Sequence, residues 1–161
     1  MKIINLPTLI TYPKLKQSVL QVLAEGKERA RLAVEREKLL TYHQVGRLLN
    51  DHLLAHKDRA DYGDHVIERL AGDLEMSRSL LYHILDFHRK FRIVQSVGQL
   101  TWTHCIALLG LQTKTERDFY VKAAVEASWS VRDLRAQIKL DAFGRAQTQL
   151  PAHTPEAPAS L

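Results

Sequence analysis

The sequence predicts an all-α fold: a helical domain built around a helix-turn-helix and led by a long N-terminal helix. Three observations point there. No proline interrupts the chain between Pro13 and Pro151, that stretch leans on Leu, Ala, Arg, Glu and Gln, and alternating β-branched runs are scarce. At 161 residues the chain is one domain's worth, able to bury about two-thirds of its unfolded surface without disulfide or metal staples.

Residues 1–13, with Pro7 and Pro13 among a few apolar side chains, read as an irregular arm. From Lys14 to about His56 the pattern is helical, with Gly26 offering a break into two helices. Beyond it Leu32, Leu39, Tyr42, Gly46, Leu49 and Leu53 recur at three-, four- and seven-residue spacings and form one stripe. The charges between them (Lys27, Glu28, Arg29, Arg31, Glu35, Arg36, Glu37, Lys38) read as a solvated face. The stripe has two uses open to it: packing on the chain's own core, or pairing with a second copy.

The most informative stretch is "IERLAGDLEMSRSLLYHILDF", residues 67–87. Asp64 suits the N-cap of a helix carrying Val66, Ile67, Leu70, Ala71 and Leu74 on one face. Ser77 suits the N-cap of a second helix starting at Arg78, which leaves a turn of about three residues, as a helix-turn-helix requires. Ala71 is small where the helices would cross, and Met76 is apolar where the corner needs a plug. Glu75 stands where such turns often place glycine to reach a left-handed backbone.

At 100° per residue the second helix separates fully. Leu80, Leu81, Ile84, Leu85, Phe87, His88 and Phe91 share one side; Arg78, Ser79, Tyr82, His83, Asp86, Arg89 and Lys90 share the other. Solubility alone would ask only for Glu and Lys there. Arg grips guanine bidentately, and Ser, Tyr, His and Lys hold phosphates, so the candidate DNA-binding residues are Arg78, Ser79, Tyr82, His83, Arg89 and Lys90. Such a helix pair also occurs as a bare packing unit, and the basic, hydroxyl-rich face is what favours DNA over that use.

Three further helices carry their own start signals: Thr101 before Trp102, Ile106 and Leu109; Thr115 with Asp118; and Ser130 with Asp133, followed by Val131, Leu134 and Ile138 inward. Trp102 and Trp129 read as core anchors. Residues 14–140 thus form the helical unit, and 141–161 a tail. From residue 150 that tail, rich in Pro and Ala, cannot bury enough surface to order itself.

Other chemistry finds little support. His52 and His56 lie one helical turn apart, but lack the glutamate of a zinc-protease motif and a third ligand, so they read as a solvated pair. Cys105 sits in an apolar helical pattern and reads as a buried thiol. As the single cysteine it admits no internal disulfide and fits a reducing cytoplasm. No phosphate-cradling glycine motif is present, no apolar run approaches the length of a membrane span, and the N-terminus lacks the core and cleavage site of a signal peptide. The formal charge of +5 makes an anionic partner plausible without naming one.

From about residue 40 to 139 the chain resembles the N-terminal domain of YhcG-type proteins, a bacterial family classed with nucleases. The motifs are "YHQVGRLL", "RADYGDHVIERLAGDL", "LTWTHCIALLGL" and "FYVKAAVEASWSVRDLRAQI", in that order. More distantly it is similar to the helix-turn-helix domain of ParB partition proteins, through "MSRS", "TWTHCIALLGL" and "WSVRDLRAQI". The ParB likeness implies that the helix after the turn enters the major groove, carrying over onto Arg78, Ser79, Tyr82 and His83. It departs after His104, where Cys105, Ile106 and Ala107 replace that family's basic residue. YhcG-type proteins usually continue into a PD-(D/E)XK nuclease domain, but no Asp followed by an acid-x-Lys pair stands in this sequence after Ile138. The expectation is therefore a non-catalytic DNA-binding protein of the bacterial cytoplasm, nucleoid-associated if it binds DNA, or the targeting module of a nuclease system. No cofactor or metal is expected. Its expected partners are double-stranded DNA, a second copy through Leu32, Leu39, Leu49 and Leu53, and a nuclease partner protein; no membrane is expected. The alternative is a protein-interaction module using the helix 27–56, with the helix-turn-helix as scaffold.

Overall fold

The computed structural model describes residues 11–57, 61–91 and 99–149, and among them holds seven helices and no strand. They are α1 (Tyr12–Ala55), α2 (Tyr62–Asp73), α3 (Arg78–Lys90), α4 (Trp102–Leu109), α5 (Lys114–Glu126), α6 (Val131–Lys139) and α7 (Ala142–Gln149). Residues 1–10 of the expected arm and 150–161 of the expected tail lie outside the described residues. No helix is long and apolar enough to cross a membrane among the residues described.

Helix α1 runs 44 residues without a break. It starts with Pro13 in its first turn, where a missing N–H costs nothing, and passes through Gly26. One glycine costs a helix about 1 kcal/mol, too little to break it.

Two regimes follow each other along α1. Residues 11–34 are exposed except for Gly26, which is half-buried; from Glu35 onward one face packs on α3. Leu39 is fully buried there and Leu49 nearly so, whereas Leu32 is 40% exposed and takes no part. The expected stripe is thus consumed inside the chain. The surface through which a second copy was expected to dock is not free, because α3 already covers Leu39 and Leu49.

The α1–α3 seam is closest at Gly46, where a Cβ would stand 2.6 Å from both the Ile84 carbonyl oxygen and the His88 Cβ. Around it the aromatic rings interlock edge to face: Tyr42 on Trp102 (4.8 Å between centroids) and Phe87 on Trp102 (5.4 Å). Glu35 Oε2 accepts from the Trp102 N–H (3.2 Å), fixing the start of α4 to α1. The opposite end of α4 is held by cations: Lys90 Nζ donates to the Leu109 carbonyl (2.7 Å) and the buried Arg117 to Leu111 O (2.9 Å), a favourable pairing with the negative end of a helix. Tyr120 OH donates to Gln137 O (3.4 Å) and accepts from Phe143 N–H (3.2 Å), joining α5, α6 and α7.

Two expected caps move. Helix α2 starts after Asp61, which has φ 61°, and Asp64 lies in its first turn instead. Helix α5 is capped by Thr113, whose hydroxyl accepts from Glu116 N–H (3.1 Å), so Thr115 is already helical. The spacing Thr113-x-x-Glu116 is the stronger capping signature, an acid three residues after the hydroxyl. Caps at Thr101 and Ser130 stand where expected, both as full capping boxes.

The seam yields two predictions. Gly46→Ala is expected to lower the free energy of unfolding in urea by about 1 to 3 kcal/mol or more, because backbone cannot yield as a side chain can. Gly26→Ala, whose Cβ would meet only Arg29 Nη2 at 3.7 Å, is expected to be neutral or to stabilise by up to about 1 kcal/mol. The second prediction concerns His88. Its Nδ1 is buried without a partner. Burial first, then the neighbouring His43 and Arg47, hold its pKa below the ordinary value, with Asp51 opposing. A base with a depressed folded pKa leaves the unfolded chain binding more protons, so stability is intact above the unfolded pKa near 6.5 and falls as pH drops through it. Thermal melts from pH 7.5 to 5.5 are expected to show that fall, with a shallower one in His88→Leu.

Candidate nucleic-acid interface

The α2–α3 corner is built by local backbone geometry. Helix α2 ends with Met76 N–H donating to Ala71 O (3.0 Å) and Glu75 N–H to Gly72 O (3.3 Å), the bond pair of a Schellman motif, which requires a left-handed residue between. Glu75 supplies it with φ 54°. Met76 then packs back against the core that contains Ala71, and Ser77 accepts from Leu80 N–H (3.1 Å) to start α3. The connection is therefore tight although glycine is absent.

Burial along α3 matches the helical wheel. Leu81, Ile84, Leu85, Phe87 and Phe91 are buried, and Arg78, Ser79 and Arg89 exposed. Partners subdivide the polar side. Arg78 lies 3.5 Å from Glu68 of α2, and Tyr82 OH donates to Asp64, which pushes the phenol pKa up. Arg89 Nε donates to Asn50 Oδ1 of α1 (2.9 Å). Lys90 is taken by Leu109 O, with Asp86 at 3.9 Å. Ser79 and the half-buried His83 make no hydrogen bond or ion pair among the described residues. The six candidates thus share one face, but the C-terminal pair braces α3 against α1 and α4, and the presentable end is the first turn and a half, Arg78 to His83.

A family model described as DUF1016 N-terminal domain matches residues 18–145. The chain belongs to that family. The match agrees with the likeness to the N-terminal domain of YhcG-type proteins. No curated protein and no solved structure matches the chain. The family segment takes in α1 from Ser18, all of α2 to α6 and the first turn of α7.

Elsewhere in this DUF1016 N-terminal domain, the chemistry-bearing side chains are occupied structurally. His104 has both ring nitrogens engaged, Nδ1 by Thr101 N–H (3.2 Å) and Nε2 by Trp129 O (2.9 Å). Cys105 is fully buried, and burial pushes its thiol up to about 12. His52 and His56 close the end of α1: the His56 ring stacks on Tyr62 (4.7 Å) and its Nδ1 donates to His52 O (2.8 Å). Among the described residues no group of three or more His, Cys, Asp or Glu comes together that would hold a metal ion.

Sequence reasoning overlooked Asp64, Glu68 and Asn50 as partners of the polar face. Only Asp64 and Glu68 carried a signal, being acids on the helix that must cross α3. The corner itself can be probed by stability. Glu75→Gly is expected to raise it by about 0.5 to 1 kcal/mol, as glycine adopts positive φ without penalty. Ser77→Ala is expected to lower it by about 1 kcal/mol through loss of the cap; both are read from urea midpoints.

Proposed function

We propose that this chain is a non-catalytic module that binds double-stranded DNA in the bacterial cytoplasm and serves as the targeting part of a nuclease system. The observation that carries the reading is the α2–α3 corner: a Schellman turn and a serine cap hold the first turn of α3 outward, with Arg78, Ser79 and His83 on its exposed side. Such a first turn is the part of a helix-turn-helix that meets base edges. The distant similarity to ParB domains and the formal charge of +5 support the same reading.

A second reading has its own observation. Residues 12–23 of α1 lie exposed among the described residues, and Tyr12, Leu15, Val19, Val22 and Leu23 on that stretch are 48–76% exposed, an apolar stripe at helical spacing of the kind that marks a protein-docking surface. On this reading the module docks a protein. The region differs from the expected 27–56, whose apolar side is spent on α3.

Fluorescence anisotropy with a labelled duplex separates the two readings. DNA binding is expected with a log–log salt slope of about −3 to −5, from four to five phosphate contacts. Arg78→Ala and Ser79→Ala are each expected to shift sequence preference, at about 1 to 3 kcal/mol if a base contact is lost. No binding at low salt would leave the α1 docking reading standing alone.

A further inference from the structure

The corner between α5 and α6 repeats the corner between α2 and α3, bond for bond, 53 positions later. Ala127 N–H donates to Ala123 O (3.0 Å), Ser128 N–H to Val125 O (3.3 Å) and Trp129 N–H to Ala124 O (2.9 Å), matching the bonds of Leu74, Glu75 and Met76. Ser128 is left-handed (φ 50°) as Glu75 is. Ser130 caps α6 by accepting from Asp133 N–H at 3.1 Å, the distance found between Ser77 and Leu80. The seams match too: Ile67 and Tyr120 are each 1% exposed, Ala71 and Ala124 7% and 2%, and Leu81 and Leu134 are fully buried. The chain therefore holds two helix-turn-helix units of one construction.

They differ on the outward face of the second helix. Where α3 has Ser79, Tyr82 and Asp86, α6 has Arg132, Arg135 and Lys139. At 100° per residue these three cations fall within an arc of about 60° and span roughly 10 Å along the axis. All three are exposed, and none makes a hydrogen bond or ion pair among the described residues. The acids nearby are already committed: Asp133 Oδ2 accepts from Ser130 N–H and Oγ–H (3.1 and 2.6 Å), and Asp141 Oδ1 from Gly144 N–H (3.1 Å). On α3, by contrast, Arg78, Arg89 and Lys90 are drawn into contacts within the chain.

We infer that α6 is a second nucleic-acid-contacting helix, gripping the phosphate backbone of duplex DNA through Arg132, Arg135 and Lys139. The inference rests on the DNA-binding reading above and adds to it a second contact element within one chain. Two such helices on a single polypeptide supply the extended footprint for which single helix-turn-helix units dimerise.

The test measures affinity of the full chain for a fluorescein-labelled duplex across a salt series, for wild type, Arg132→Gln/Arg135→Gln/Lys139→Gln, Arg78→Ala/Ser79→Ala, and the single variant Arg135→Glu. Circular dichroism is expected to be the same for all. Loss of three phosphate contacts is expected to make the salt slope shallower by about 2 to 3 and to weaken binding about 100-fold or more near 0.1 M salt. Arg135→Glu, which keeps the test readable should the triple variant misfold, is expected to weaken binding of every sequence alike. The α3 variant is expected to change sequence preference with little effect on slope. Wild-type binding that the α6 variants leave unchanged in affinity and slope would overturn this inference and leave the DNA reading intact. A wild type that binds no duplex at low salt would overturn both.

Discussion

At Gly46 the backbone of α1 approaches α3 so closely that no side chain fits between them. That approach lets Leu39 and Leu49 bury fully or nearly so and brings His43 against His88, the ring centroids 4.7 Å apart. It also presses Tyr42 and Phe87 onto Trp102, and through Trp102 it places α4. Since α4 packs in turn on α5 and α6, a displacement at this crossing would propagate through the whole domain. Close-packed interiors transmit such shifts and do not absorb them. The remaining polar links act locally: Glu35 fixes one end of α4, and Lys90 and Arg117 fix the other.

Around this seam the domain is assembled from short helices that start and stop by their own chemistry. Serine and threonine caps begin α3, α4, α5 and α6. Left-handed residues end α2, α5 and α6, and none of them is glycine: Glu75, Ser128 and Asp141 carry positive φ. Each costs some backbone energy, and each is followed within two residues by a side chain that packs into the core or by the start of the next helix. The strain is thereby exchanged for tight corners, and tight corners point the helices after them in a definite direction.

Direction decides what the polar faces do. The face of α3 is amphipathic in the way a DNA-contacting helix would be, yet α3 lies centrally, and three neighbouring elements claim its longer side chains. Tyr82 goes to Asp64, Arg89 to Asn50 and Lys90 to Leu109 O. On α6, by contrast, Arg132, Arg135 and Lys139 are exposed and bond to no neighbouring element among the described residues. Two helices of like construction thus end with different electrostatic availability. The cause is position in the bundle, since both turns are formed alike.

Helix existence, the all-α class, the Ser77, Thr101 and Ser130 caps and the inward sides of α3 and α6 were all legible in the residues, because each depends on contacts within about four positions along the chain. The Thr113-x-x-Glu116 signal was equally local, and the spacing at Thr115 and Asp118 obscured it. Whether the Leu39 to Leu53 stripe met a second copy or its own chain was not legible, since an apolar stripe has the same pattern in either use. Nor was the fate of the polar face of α3, whose partners stand 18, 39 and 19 positions away. The local sequence determined which side of each helix is apolar and where the chain turns. Only tertiary packing decided which polar groups are spent inside the molecule and which are left to meet a partner, because that depends on what stands opposite each helix once its apolar side is buried.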